Sequence, residues 1–208
     1  MIIYKTDIIS KIRTAIDDIA PSALDSFGSD VNTELWQATI HATIALSAAL
    51  PLNLLDVSID QMNGTVDNNR GFAYGPLPDD YLRFANIDIA DTSGVLSELV
   101  EPGSDMEKMQ RSSWSRGSAS KPKAMLDNDE TGKKVIVWWP GTDTHSSAQL
   151  SYVKKPIVVT ETTTGYASVP AINCAIRDEA EPQVIYQAAA IFFEGKKEPD
   201  TAEKFRNM

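Results

Sequence analysis

The chain has 208 residues, enough for one ordinary domain or for a helical part packed against a β part. Its 29 acidic residues outweigh 19 basic ones, which argues against wrapping duplex DNA, because phosphate binding needs a basic surface. Hydrophobic content of 42% and charged content of 23% are those of an ordinary globular protein, and the lone cysteine, Cys174, excludes an internal disulfide framework.

Cys174 reads as a small buried apolar residue in a reducing compartment. Residues 1–7 lack the charged-then-apolar order of a signal peptide. No apolar run approaches the roughly 20 residues that span a bilayer, so a cytosolic product is expected. Ile8, Ile12, Ile16 and Ile19 recur at spacings of four, four and three, which predicts a helix over 7–19. Thr6 or Asp7 can cap its start, Pro21 lies past its end, and turn residues fill 20–29. A second helix is predicted over 32–50, capped by Asp30 or Asn32 and stopped by Pro51. Its wide apolar face carries Leu35, Trp36, Ile40 and Leu46, and its small residues (Ala38, Ala42, Ala45, Ala48, Ala49) permit close helix approach. His41 sits in this helix with no cysteine or second histidine nearby, so it reads as a satisfied or exposed side chain rather than a metal ligand. Up to Asp60 there are three basic and eight acidic residues. That is a solvated acidic face or, more sharply, a wall past which a polyanion slides without sticking.

From 52 to 75 the pattern weakens. Leu52, Leu54, Leu55, Val57 and Ile59 suit a short helix or strand, and Asn63-Gly64 and 67–71 are turn chemistry. The landmark follows: Gly75-Pro76-Leu77-Pro78-Asp79-Asp80-Tyr81-Leu82-Arg83-Phe84, in which two prolines forbid helix. It predicts a rigid turn delivering the first strand of a β region, with Leu82, Phe84, Ile87 and Ile89 among polar neighbours and Ala85 breaking strict alternation. Another turn falls at 91–94 and a short helical turn at 102–110. Between 108 and 123 stand five basic residues and no acidic one, around Trp114 and Arg116. The stretch reads as a mobile surface loop or as a docking loop with an aromatic anchor and flanking arginines. Strands are predicted at 123–126, 133–139 and 148–153; the acidic turn 127–132 lacks the spacing of a calcium loop. Such short antiparallel strands suggest a small sandwich or barrel-like module. Trp138 and Trp139 point to opposite faces of one strand, so at most one enters a single-sided core; the other is covered by helices or buried at an interface. After Val169-Pro170 the pattern predicts a helix over 171–180, then one led by Pro182 and capped by Gly195, and a last short helix over 200–205.

The sequence holds no Gly-rich phosphate loop, nucleophile elbow or helical histidine pair. Asp143, His145 and Ser146 stand together in one loop, whereas a triad needs such groups converging from separated positions. No catalytic residue, metal or cofactor is expected.

The expected fold class is α+β: N- and C-terminal helices (1–60 and 170–208) forming a bundle, with an inserted antiparallel β-rich module (61–169) that carries the 108–123 loop. Three features share this order: a helical pair ending at Pro51, the Leu77-Pro78-Asp79-Asp80-Tyr81-Leu82-Arg83-Phe84 turn-strand, and a close running from Tyr152-Val153-Lys154-Lys155-Pro156 through a proline-led helix pair with Ala188-Ala189-Ala190 to a terminal helix after Gly195. Together they resemble the head-to-tail adaptor or ring proteins of short-tailed bacteriophages, including the ring proteins of crAss-like phages. The likeness covers most of the chain, but the 108–123 loop has no counterpart in it. The resemblance implies a non-catalytic structural protein of the virion tail or neck, made in the host cytoplasm. It would form a ring of about twelve copies below the portal, contacting itself, the portal and the next tail or ring protein. Genomic DNA would pass through its lumen without sequence-specific binding. The interface candidates are Tyr81, Arg83, Trp114, Arg116, Trp138 and Trp139. A monomeric binding module or assembly factor without catalysis is the alternative from another class.

Overall fold

A computed structural model describes residues 1–27, 30–92, 94–112, 115–161 and 169–208. In chain order the first elements are β1 (Ile2–Tyr4), α1 (Lys5–Ile19), α2 (Val31–Ala49), β2 (Ser58–Asn63), β3 (Thr65–Asp67), β4 (Phe72–Pro76), β5 (Tyr81–Ile89), β6 (Glu98–Val100) and α3 (Asp105–Gln110). There follow β7 (Lys123–Asn128), β8 (Lys134–Trp139), β9 (Ser147–Lys154), β10 (Ile157–Glu161), β11 (Val169–Asn173), α4 (Glu181–Gly195) and α5 (Pro199–Arg206). The class is α+β. Two compact units divide the chain: Met1–Asp56 with Val153–Met208, and Val57–Tyr152.

The first unit is built around α4, which packs against α1, α2 and α5. Ile8, Ile12 and Ile16 of α1 form one fully buried stripe, as their spacing requires. Facing them, α4 buries Val184, Ala188, Ala189 and Phe193 completely, and Phe193 stacks on Phe205 of α5 at 5.6 Å. Small side chains let α2 come close. Thr39 and Thr43 of α2 are fully buried because their hydroxyls donate to the carbonyls of Leu35 and Thr39 at 2.7 Å each. Lys11 donates to Glu181 at 2.9 Å and ties α1 to α4. An exposed pair of this kind is worth about 0–1 kcal/mol, so apolar burial carries the unit.

Several expectations change here. Residues 171–180 do not form an α-helix: β11 runs to Asn173 between β1 and β10, antiparallel to both, and only Asp178–Ala180 make a short 3-10 turn. Strand pairing on both sides of Ala171 and Ile172 overrides a helical apolar pattern only a few residues long. Pro170 is tolerated there because it lies beyond the end of β1, whose last partner is Ala171. The N-terminal strand β1 was not legible, and with it α1 starts at Lys5, so Thr6 and Asp7 lie inside the helix and do not cap it. Gly195 is the last residue of α4, and the left-handed residue after it is Lys197, at φ 61°. Cys174 is buried as expected, and burial pushes its thiol pKa up.

The second unit spans 57–152 rather than 61–169, because β11 pairs with β1, and β10 with β11, in the first unit. It contains two sheets, β2-β9-β5 and β3-β4-β8-β7-β6. The landmark turn therefore does not deliver the first strand of the β region: β2, β3 and β4 precede it, and Gly75 and Pro76 close β4. In the larger sheet β3 pairs with β4, β4 with β8 and β8 with β7, all antiparallel, whereas β6 runs parallel to β7. One core takes Met62, Ala148, Leu150, Tyr152, Ile87 and Ile89 from the smaller sheet and Ala73, Ala124, Ile136 and Trp138 from the larger. The opposite face of the larger sheet carries a second cluster, Val100, Met125, Val135, Val137 and Trp139, flanked by Phe72 and Tyr74. Strict alternation along β8 supplies both sets, with Ile136 and Trp138 inward and Val135, Val137 and Trp139 on the other side.

Trp138 is fully buried and donates its indole N–H to the carbonyl of His145 at 2.9 Å. A Cβ at Gly64 would stand 2.4 Å from its Cη2 atom, so the turn between β2 and β3 reaches its position only with glycine there. We expect Gly64→Ala to destabilise the protein by about 1–3 kcal/mol through overpacking. Gly195→Ala meets no atom within 4 Å at the end of α4 and should cost nothing or stabilise by a few tenths of a kcal/mol, roughly the helix preference of alanine. Denaturant titration of the two variants checks the opposite signs.

Candidate functional site

The landmark turn folds as a clasp inside the second unit. Its prolines prevent helix, and the backbone N–H of Tyr81 donates to the carbonyl of Pro78 at 3.0 Å. This turn delivers Asp80 and Tyr81 together onto Tyr152 of β9. The Tyr152 hydroxyl donates to Asp80 Oδ1 at 2.8 Å, and the Tyr81 ring stacks on Tyr152 with centroids 5.9 Å apart. Leu77, Tyr81 and Phe84 all pack against the inter-sheet core, so alternation does not hold along the start of β5, where Ala85 had interrupted the pattern. Burial first, and the Asp80 carboxylate second, push the Tyr152 phenol up to about 12 from its ordinary 10.0. Burial likewise raises the phenol pKa of Tyr81.

The six interface candidates thus separate. Tyr81 is half-buried and spends its ring on Tyr152, while Arg83 is half-buried on β5. Trp138 and Trp139 are 0% and 5% exposed, so neither indole is presented at the surface. The two lie on opposite faces of β8 as expected, so no single core takes both, and each face has a cluster of its own. Trp139 is covered by Phe72 at 6.1 Å and by the backbone at Gly117, where an added Cβ would lie 2.9 Å from that of Trp139. Arg116 is half-buried and donates to the carbonyl of Arg70 at 3.0 Å, closing over Gly71. Trp114 lies outside the described residues.

The basic run from 108 to 123 is less basic in three dimensions than in sequence. Lys108 meets Asp105 at 2.8 Å, Arg111 meets Glu107 at 3.3 Å, and Lys123 is paired with Glu98. These acids all come from outside the run, so counting charges along it overstates its field. The start of the run is the end of α3. Ser104 caps that helix by accepting from the N–H of Glu107, while the Glu107 carboxylate accepts from the N–H of Gly103 at 2.7 Å. Beside it lies a groove of about 760 Å³ lined by Phe72, Trp139, Arg70, Arg111, Glu107 and Asp127.

The loop holding Asp143, His145 and Ser146 spends its polar groups locally. Ser146 donates to the backbone carbonyl of Asp143 at 3.0 Å, and His145 Nδ1 lies 2.7 Å from the Thr142 hydroxyl and 3.0 Å from that of Thr144. Serine and histidine are not joined there as a nucleophile and its base would be. His41 is exposed on α2. Among the described residues there is no group of three or more His, Cys, Asp or Glu side chains placed to hold a metal ion, and no helix is long and apolar enough to cross a membrane.

What sequence reasoning missed is on strand edges. In the second unit Leu96 is 67% exposed, with Val95 and Leu99 beside it at the edge strand β6. Leu99 is in register with the buried Ala124, so it stands on the inner face of the larger sheet, yet it is 42% exposed. The smaller, three-stranded sheet does not cover that edge. In the first unit the edge strand β10 presents Ile157 and Val158, 51% and 52% exposed. Short apolar runs such as Val95-Leu96 and Ile157-Val158-Val159 look like core segments in a sequence, and only strand order reveals that they lie at an edge.

No protein-family model and no curated protein matches this sequence.

The clasp carries a pH signature. The folded-state pKa of Tyr152, about 12, lies above its ordinary 10.0; its stabilising effect is therefore complete below the unfolded value and is lost as pH rises through the folded one. Wild-type unfolding free energy should fall between these two pH values more steeply than that of Tyr152→Phe, by up to about 1.4 kcal/mol per pH unit. Denaturant titrations at stepped pH test it, and equal slopes would remove the clasp as the cause.

Proposed function

We propose that this chain is a structural virion protein of a short-tailed bacteriophage, a head-to-tail adaptor assembled as a ring below the portal around the DNA conduit. The observation that carries the reading is the pair of unlike apolar edges, one on each unit: Val95, Leu96 and Leu99 at β6, and Ile157 and Val158 at β10. A closed ring needs a heterologous contact in which two different patches of each copy meet, whereas a two-fold dimer uses one patch twice. Open apolar strand edges are aggregation hazards unless something covers them, and a neighbouring copy does so.

Two further observations support it. The turn-strand that carries the resemblance to phage adaptors works here as an internal clasp between Asp80, Tyr81 and Tyr152, a structural duty suited to a shared scaffold. Asp17, Asp18, Asp25 and Asp30 are exposed on the helical unit, and a surface of that sign lets a polyanion pass without adhering. Pairing of the basic run with its own acids favours a protein contact there over a nucleic-acid one.

Native mass spectrometry and negative-stain imaging of the purified chain, alone and with the portal and tail components of its virion, test the reading. The expected result is a closed ring of about a dozen copies. A chain that stays monomeric alone and with every such component is a binding module, and the adaptor reading falls.

A further inference from the structure

We propose that the contact between neighbouring copies is a strand-edge junction: β10 of one copy lies against β6 and the preceding residues 95–97 of the next. This rests on the ring reading above and specifies its interface. Among the described residues both strands end their sheets, β10 beside β11 and β6 beside β7, so each has one side without a strand partner there. Both present adjacent apolar side chains to solvent, Ile157 and Val158 on one and Leu96 and Leu99 on the other. A strand added at such an edge gains main-chain hydrogen bonds and covers those side chains together.

Charge decides which edge meets which. Residues 84–107 contain six acids (Asp88, Asp91, Glu98, Glu101, Asp105, Glu107) and no base. Glu98, Asp105 and Glu107 are matched by Lys123, Lys108 and Arg111, while Asp91 and Glu101 are exposed and have no ion pair among the described residues. On the other side, Lys154-Lys155 lead directly into β10, and residues 144–160 contain no acid. Lys155 is exposed and has no ion pair among the described residues. Pairing β6 with β6 antiparallel would bring Glu98 and Glu101 of the two copies together, and pairing β10 with β10 in parallel would set lysine beside lysine. Like charges directly opposite across strands are destabilising, and opposite charges are favourable. The unlike pairing is therefore preferred, and it is the heterologous geometry that closes a ring.

Single cysteines test the junction, in a Cys174→Ala background so that no native thiol competes. Val158→Cys and Leu99→Cys proteins, one of them isotopically heavy, are mixed under mild oxidation and the disulfide-linked dimers weighed. The expected product joins one heavy and one light chain well above the statistical share, and the double variant gives a ladder of linked copies. Dimers of Val158→Cys with itself, or a statistical mixture, overturn the junction. Because a cysteine can disturb an edge, Lys155→Glu provides a second measure: it should lower the assembled mass at equal concentration, and Glu101→Lys in the same chain should restore it. Intact rings with no mixed disulfide and no effect of Lys155→Glu would reject this junction while leaving the ring reading in place. Monomers throughout would reject both.

Discussion

The Trp138 indole is the constraint on which the second unit depends. It is fully buried between two sheets and meets the chain from several directions. Gly64 must lack a side chain for the ring to fit, a Cβ added at Gly75 would come within 3.7 Å of it, and its N–H is satisfied by the carbonyl of His145. A buried indole without that acceptor would forfeit on the order of 1–3 kcal/mol. The turn after β2, the end of β4 and the loop before β9 are therefore placed by one side chain. Trp139, one residue on, anchors the opposite face in the same way, with Phe72 and the Gly117 backbone over it. A strand with a tryptophan in each of two separate cores has little freedom to shift register, since a one-residue slip would exchange the two faces.

Holding two cores on one five-stranded sheet has a consequence at its edge. The smaller sheet offers only three strands, and β6 extends past its cover with Leu99 on the inner face. Exposure at β6 thus follows from unequal sheet widths. In the first unit β10 is likewise the last strand of a sheet whose central strand, β11, is sandwiched by β1. The groups with chemical potential are used for architecture: Asp80 clasps Tyr152, and Ser146 turns back on its own loop.

The resemblance to phage adaptors was carried by short motifs, and the structure gives each a physical role. The Leu-Pro-Asp-Asp-Tyr-Leu-Arg-Phe segment is a turn that throws an acid and a ring onto Tyr152. The Ala188-Ala189-Ala190 run is fully buried on α4, the helix that packs against α1, α2 and α5. Much of the candidate site was hidden for a simple reason. Large aromatics such as Tyr81, Trp138 and Trp139 dominate interfaces, yet the same size makes them the most valuable core residues. Leu96, Leu99, Ile157 and Val158 stand in short aliphatic runs, which in a sequence read as interior segments. The basic run looked unopposed because its partners Glu98, Asp105 and Glu107 lie just outside the window counted.

Taken alone, the sequence determined α1, α2, α4 and α5 to within a few residues, since helical periodicity and proline stops act over a few turns of chain. It also determined the hairpin from β7 to β8 and the opposed faces of Trp138 and Trp139, because side-chain alternation is built into an extended backbone. Tertiary structure alone decided that Ile172 belongs to a strand rather than a helix, that both tryptophans find cores, and that two aliphatic edges stay open. Those outcomes depend on partners distant in the chain, from Phe72 beside Trp139 to Ile3 beside Ile172. Strand pairing and burial are properties of what lies across the sheet, and local periodicity carries no record of it.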